Sequence, residues 1–90
     1  MLVSFSKAFH KDLKQTPMEI RRALGKVVAE IEAAQQLQEI RNCKKLQGSE
    51  DCYRIRIRDY RATFLFIRIE DRIFFQRILT RGQIYKKHIG

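Results

Sequence analysis

The sequence has little of what breaks, staples or anchors a chain. Its 90 residues include one Pro, four Gly, two Cys, two His and no Trp, and no Gly/Ser-rich linker, low-complexity tract or repeat divides them. With nothing to mark a boundary, residues 1–90 read as a single domain. No apolar run approaches the roughly 18 residues that a membrane-spanning helix requires. The opening Met1-Leu2-Val3-Ser4 leads to Phe5 and Lys7 rather than to a signal-peptide core. A cytoplasmic protein with no membrane attachment is the expectation. In that setting Cys43 and Cys52 read as two reduced thiols. Neither has another Cys or a His at metal-ligand spacing, because His10 and His88 stand near opposite ends of the chain, so no metal site is expected. A chain this short buries only about 60 to 65% of the surface its unfolded form exposes, which argues against a large buried pocket. No small-molecule cofactor is expected.

Acidic residues are also scarce. Ten Asp+Glu face 19 Lys+Arg, for a formal charge of +9 and a pI near 10.1. Hydrophobic residues at 44%, six Phe and three Tyr among them, exclude a disordered basic tail and are enough for a core. The charge is unevenly spread: residues 1–52 carry 9 Lys+Arg and 7 Asp+Glu, whereas residues 53–90 carry 10 and 3. Eight of those last ten cations are Arg, whose planar fork binds phosphate bidentately. An anionic polymer is the natural partner, with a merely solvated face or an acidic protein as the competing readings.

Periodicity divides the chain in two. Leu2 to Phe5 reads as a short opening strand. Ser6 is a candidate N-cap for a helix in which Phe5, Phe9 and Leu13 recur every fourth residue. Thr16-Pro17-Met18-Glu19 predicts a second helix start, with Thr16 capping, Pro17 at the first helical position and Glu19 completing a capping box. Ile20, Leu24, Val27, Val28, Ile31 and Ala34 then form one apolar stripe. From Cys52 the period becomes 2: Tyr53, Ile55 and Ile57 alternate with Arg54, Arg56 and Arg58. Asp59-Tyr60 is a predicted turn, residues 62–69 a second strand, Glu70-Asp71-Arg72 a turn and residues 73–79 a third strand. Gly82 is a predicted turn residue in a polar tail. The sum is an α+β fold, with an N-terminal helical hairpin packed on a small, mainly antiparallel β-sheet.

Side chains two apart on a strand emerge from one face about 6.7 Å apart, a spacing that suits a phosphate backbone. Arg54 and Arg56 meet it, Arg58 would extend the row, and Arg61 and Arg81 would reach the same concavity. Like charges so close repel, a cost that an anionic ligand offsets.

Leu46-Gln47-Gly48, then Asp51-Cys52-Tyr53-Arg54-Ile55-Arg56, then Asp59-Tyr60-Arg61, and finally Arg81 four residues before Tyr85 occur in an order that resembles the RelE/ParE superfamily of toxins from bacterial type II toxin–antitoxin systems. The resemblance covers nearly the whole chain and favours the RelE branch. It implies a ribosome-dependent endoribonuclease that cuts messenger RNA by attack of a ribose 2′-OH on the adjacent phosphate, halting translation. The alternatives are a ParE-like inhibitor of DNA gyrase and a non-catalytic RNA-binding relative. It implies catalytic positions at Arg54, Arg56, Arg61, Arg81 and Tyr85, with Arg58, Lys44, Lys45, Lys86 and Lys87 expected on the RNA. Its implied partners are a cognate antitoxin protein and messenger RNA on the ribosome.

Such a reaction must deprotonate the 2′-OH, stabilise the phosphorane and protonate the leaving 5′-oxygen. Arginines meet the second need. The best-known RelE proteins carry lysines where this chain has Arg54 and Arg56, and Arg stays protonated above pH 12. Proton transfer then falls to Tyr85, whose hydroxyl cationic neighbours would acidify, to His88, or to solvent and ribosomal groups. His10 is the weakest candidate by position. Tyr85 could equally stack on a base or pack on the sheet.

Overall fold

The computed structural model describes residues 1–87, with the backbone alone for residues 85–87. Strand β1 (Leu2–Phe5) leads into helices α1 (Lys7–Lys14) and α2 (Met18–Ala33). A 3-10 turn (Leu37–Glu39) precedes β2 (Cys43–Lys45), β3 (Cys52–Ile57) and β4 (Tyr60–Ile67). A second 3-10 turn (Arg68–Glu70), β5 (Arg72–Thr80) and α3 (Arg81–Lys87) complete the order. This is the expected α+β architecture.

Ser6 caps α1 as expected: its Oγ accepts the Phe9 N–H at 3.0 Å. The second cap differs. Pro17 occupies the N-cap position of α2 without a side-chain bond. Thr16, 4% exposed, turns back to donate its hydroxyl to the Asp12 carbonyl at 2.7 Å. Thr16 thus closes α1 rather than opening α2: its hydroxyl adds a second bond to the Asp12 carbonyl, which also accepts the Gln15 N–H at 3.0 Å. Glu19 completes no box; it faces Arg58 at 3.4 Å.

The sheet has five strands in the order β1-β5-β4-β3-β2, two more than the predicted meander. β1 runs parallel to β5, and every other pairing is antiparallel. The first turn shifts by one residue: β3 ends at Ile57, and Arg58-Asp59 makes the turn with Arg58 at φ 57. The second turns at Asp71, φ 53, as expected, but the chain leaves the strand earlier, at Ile67. Gly82 lies inside α3 rather than in a turn. Gly48, at φ +82, does need the left-handed freedom of glycine.

The alternation in β3 works as predicted. Ile55 and Ile57 sink into the core with Ala62, Phe64, Ile73, Phe75 and Ile78, against Phe9, Ile20, Leu24 and Ile31 of the helices. Phe75 sits at the centre, 5.3 Å from the Phe9 ring and 5.7 Å edge-on from Phe64. The opposite face of β3 and β4 carries the arginines.

β1 ends at Phe5, beside Phe75, and leaves the rest of the β5 edge unpaired. Helix α1 takes over along it. The Ser6 N–H donates to the Phe75 carbonyl at 2.9 Å and the Ser6 hydroxyl to that of Gln76 at 2.8 Å. The Asp12 carboxylate accepts the Ile78 N–H at 3.0 Å and both Nε and Nη2 of Arg77, at 2.8 and 3.0 Å. A β-bulge sits here too: Thr63 opposes Arg77 and Phe64 opposes Phe75, so Gln76 is the extra residue.

Candidate nucleic-acid interface

Two rungs of the sheet, separated by the core-facing Ile55–Ala62 rung, build the site. Register sets Lys44 and Thr63 on either side of Arg54, and Arg61 opposite Arg56. All five therefore share the face turned away from the helices. Lys44, Arg54, Arg56 and Arg61, with Asn42 and Cys43, line a cavity of about 450 Å³. No carboxylate is among these lining residues, and four cations converge on the cavity.

Local bonds hold the group in shape. Asn42, in the left-handed region at φ 57, turns the chain into β2, and its carbonyl accepts the Arg56 N–H at 3.0 Å. Nη1 of Arg61 donates to the carbonyls of Arg58 and Tyr60 at 3.1 and 3.0 Å, which ties the guanidinium to the turn joining β3 and β4. Arg54 is half-buried and Arg56 exposed. Burial pushes the Cys43 thiol up to about 11, so it is neutral at pH 7 and adds no negative charge to the cavity. Thr63, 1% exposed, has a hydroxyl with no partner among the described residues. Four like charges on two rungs cost stability. A phosphate, with its several acceptor oxygens, is the ligand that reverses the cost.

The other expected positions separate. Arg58 leaves the row: its left-handed backbone ends the strand alternation, and its guanidinium reaches Glu19 on α2. Both side chains of that pair are more than half exposed, so the contact contributes little to stability. Lys45 opposes Tyr53 and so belongs to the other face of the sheet. Arg81 opens α3 one residue beyond the Tyr60–Thr80 rung, and its N–H donates to the Asp59 carbonyl at 3.1 Å. That bond fixes it beside the hairpin tip, next to the cavity rather than in its lining. The side chains of Tyr85, Lys86 and Lys87, and all of His88, lie outside the described residues. His10 stands against Phe5, 5.9 Å between rings, in the helix layer on the far side of the sheet.

Sequence reasoning missed two features that build this region. Asn42 and Cys43 line the cavity because a three-residue strand, β2, pairs with β3, and three residues carry no readable period. The start of α3 was legible. The Thr80 N–H and hydroxyl donate to Gln83 Oε1 at 3.0 and 3.1 Å, and the Gln83 N–H donates to the Thr80 hydroxyl at 3.3 Å. Thr80-Arg81-Gly82-Gln83 is thus a capping box written in the sequence. Among the described residues no helix is long and apolar enough to cross a membrane. Among the described residues no group of three or more His, Cys, Asp or Glu is arranged to hold a metal ion.

Comparison with known proteins places the chain in a family. The family model for the ParE toxin of the type II toxin–antitoxin system parDE matches residues 3–85. Toxin RelE3 of Methanocaldococcus jannaschii is 38% identical over 89 residues, covering 94% of this chain and 96% of that protein. A crystal structure of a RelB–RelE antitoxin–toxin complex from Methanococcus jannaschii superposes with a TM-score of 0.82 at 33% identity, covering 94% of this chain and 98% of the other. An archaeal RelE–RelB complex from Pyrococcus horikoshii OT3 superposes at 0.74 with 25% identity over 91% and 96% of the two chains. Sequence and fold agree along almost the whole length, and this chain belongs to the RelE/ParE superfamily, as a RelE-like toxin of type II toxin–antitoxin systems.

Proposed function

We propose that this toxin is a ribosome-dependent endoribonuclease that cuts messenger RNA in the cytoplasm and so stops translation. The observation that carries the proposal is the acid-free cavity bounded by Lys44, Arg54, Arg56 and Arg61. Attack of a ribose 2′-OH on its 3′-phosphate forms a five-coordinate phosphorane with an additional negative charge, and the P–O5′ bond then breaks. Guanidiniums on alternate rungs of one face bind that charge without rearranging, and Arg81, anchored by its N–H at the hairpin tip, is our candidate for a further cation on the same strand. Arg54 and Arg56 stay charged throughout and move no proton. Tyr85 is our candidate for proton transfer, with His88 next. The message is the substrate, Lys86 and Lys87 are candidate contacts to it by sequence, and a cognate antitoxin is the inhibitor, in keeping with the complexes formed by the M. jannaschii and P. horikoshii relatives.

The matching family model is that of ParE, which favours gyrase inhibition as the second reading. Brief induction followed by primer extension on cellular messages separates the two. Discrete cuts within codons, with plasmid supercoiling unchanged, are the expected result. Intact messages with poisoned gyrase establish the ParE-like activity instead, and intact messages with normal supercoiling point to a non-catalytic RNA-binding relative.

A further inference from the structure

The sheet carries a second cavity that the cleavage reaction leaves unused. It holds about 450 Å³ on the helix side of the sheet, where Leu37 and Ile40 follow the end of α2 and meet Cys43 of β2, Tyr53 of β3 and Phe66 of β4, together with Arg68. Its aromatic rings are held in place. Tyr53 stacks on Phe64 at 5.3 Å and 14°. Arg68, tied to Asp51 at 3.0 Å, sets its guanidinium carbon 5.3 Å from the centre of the Phe66 ring. No carboxylate lines the cavity. The nearby Glu39 is engaged by backbone, its Oε2 accepting the Gln35 and Gln36 N–H groups at 2.8 and 2.9 Å.

This cavity and the cationic one meet at β2, because Cys43 lines both. β2 is the last strand of the sheet and three residues long, so its outer edge has no neighbouring strand. Successive residues of a strand point to opposite faces. Lys44 therefore emerges beside Arg54 and Lys45 beside Tyr53. Both lysines are exposed, and neither meets a carboxylate among the described residues. Cations thus stand on both sides of one thin edge, with guanidiniums suited to phosphate at one end of the path and aromatic rings at the other. A free phosphate has no use for the rings, and an apolar peptide has none for the guanidiniums. Single-stranded RNA uses both, since its phosphates follow cations while its bases stack on aromatic rings and guanidinium planes.

We propose that an RNA strand held at the cationic cavity crosses the edge of β2 and seats a neighbouring base in the Tyr53–Phe66 cavity, with Lys44 and Lys45 on phosphates at the two faces. The inference rests on the RNA-binding part of the function proposed above and not on the cleavage chemistry. It gives Lys45, which the sheet register removes from the cationic cavity, a place on the same strand.

The test titrates the purified toxin with a short single strand of 2′-O-methyl RNA containing 2-aminopurine, which has no free 2′-OH and so is not cut. Stacking in the cavity is expected to quench the 2-aminopurine fluorescence. Phe66→Leu keeps an apolar side chain but loses the ring, and is expected to weaken binding about tenfold and lose the quench, with Phe66→Tyr restoring both. An abasic strand of the same length should bind wild type and Phe66→Leu equally. Lys44→Gln and Lys45→Gln, both at exposed positions, should each reduce the slope of log affinity against log salt by about 0.7, the share of one phosphate on a single strand. A slope that falls for Lys44→Gln and not for Lys45→Gln overturns the proposal, because the strand then stays on one face. Equal weakening of the abasic strand by Phe66→Leu overturns it too, since the ring is then only structural. So does native RNA binding by Phe66→Leu and Lys45→Gln with faster release of co-purified antitoxin, which makes the cavity a protein-docking site. Intact messages after induction, with this binding pattern present, would sink the endoribonuclease reading alone.

Discussion

Replacing Asp12 tests how α1 is fastened to the sheet. Its carboxylate accepts three bonds, two from Arg77 and one from the Ile78 N–H, and its side chain is only 9% exposed. Asp12→Ala removes all three. A hydrogen bond to a charged group contributes about 1.5 to 3 kcal/mol, and an orphaned backbone N–H costs about 1 to 3 kcal/mol more. The Arg77 side chain is 25% exposed and so recovers part of its solvation, which lowers the total to about 2 to 4 kcal/mol. At about 4 to 8 °C per kcal/mol for a chain of this size, the melting temperature should fall by roughly 8 to 32 °C. Asp12→Asn keeps an acceptor for Ile78 while losing the charge, so its loss should be smaller. In a double-mutant cycle with Arg77→Met, the coupling should account for most of the Asp12→Ala loss. Calorimetry and urea titration of the three variants supply the numbers. A loss below about 1 kcal/mol for Asp12→Ala would refute the assignment and make the ion pair an ordinary surface contact.

Removing Arg61 should slow message cleavage about 100- to 1,000-fold in a ribosome assay while circular dichroism stays native, because the residue binds developing charge. Arg54→Lys and Arg56→Lys should preserve or raise the rate if proton transfer limits it. Alkylation of Cys43 should keep rising with pH toward about 11 rather than levelling near 9, read by mass spectrometry against a Cys52→Ser background. The sign for stability is the same: between those values the unfolded chain loses the thiol proton first, so the Cys43 contribution declines as pH rises through that window. Thr80→Ala should cost about 1 kcal/mol by deleting the cap of α3, seen as faster amide exchange at Ile84. Thr63→Val removes a buried hydroxyl that has no partner among the described residues and should be neutral to about 1 kcal/mol stabilising in urea titration.

Local periodicity made much of the molecule legible in the sequence. The stripe from Ile20 to Ala34 specifies α2, and the alternation of Ile55 and Ile57 with Arg54 and Arg56 assigns each side chain of β3 to a face before any partner strand is known. The Ser6 cap, the cationic face and the superfamily likeness follow from residue order alone. The rest depends on pairings between distant segments, which no local period encodes. β1 lies against β5, some 70 residues away, and its parallel register settles only when both elements are folded. β2 is too short to show alternation, yet its pairing with β3 is what brings Lys44 into the cavity beside Arg54 and turns Lys45 to the other face. Arg58 fits the sequence pattern, but the chain turns there, and one left-handed residue sends its side chain to Glu19. Averaging charge over half a chain concealed the basic helix layer, because Asp12 and Glu19 offset its lysines and arginines in a sum although in space they are bound elsewhere. Charge counts add along a sequence; electrostatic fields add in three dimensions, and only the tertiary structure decides which charges remain uncompensated.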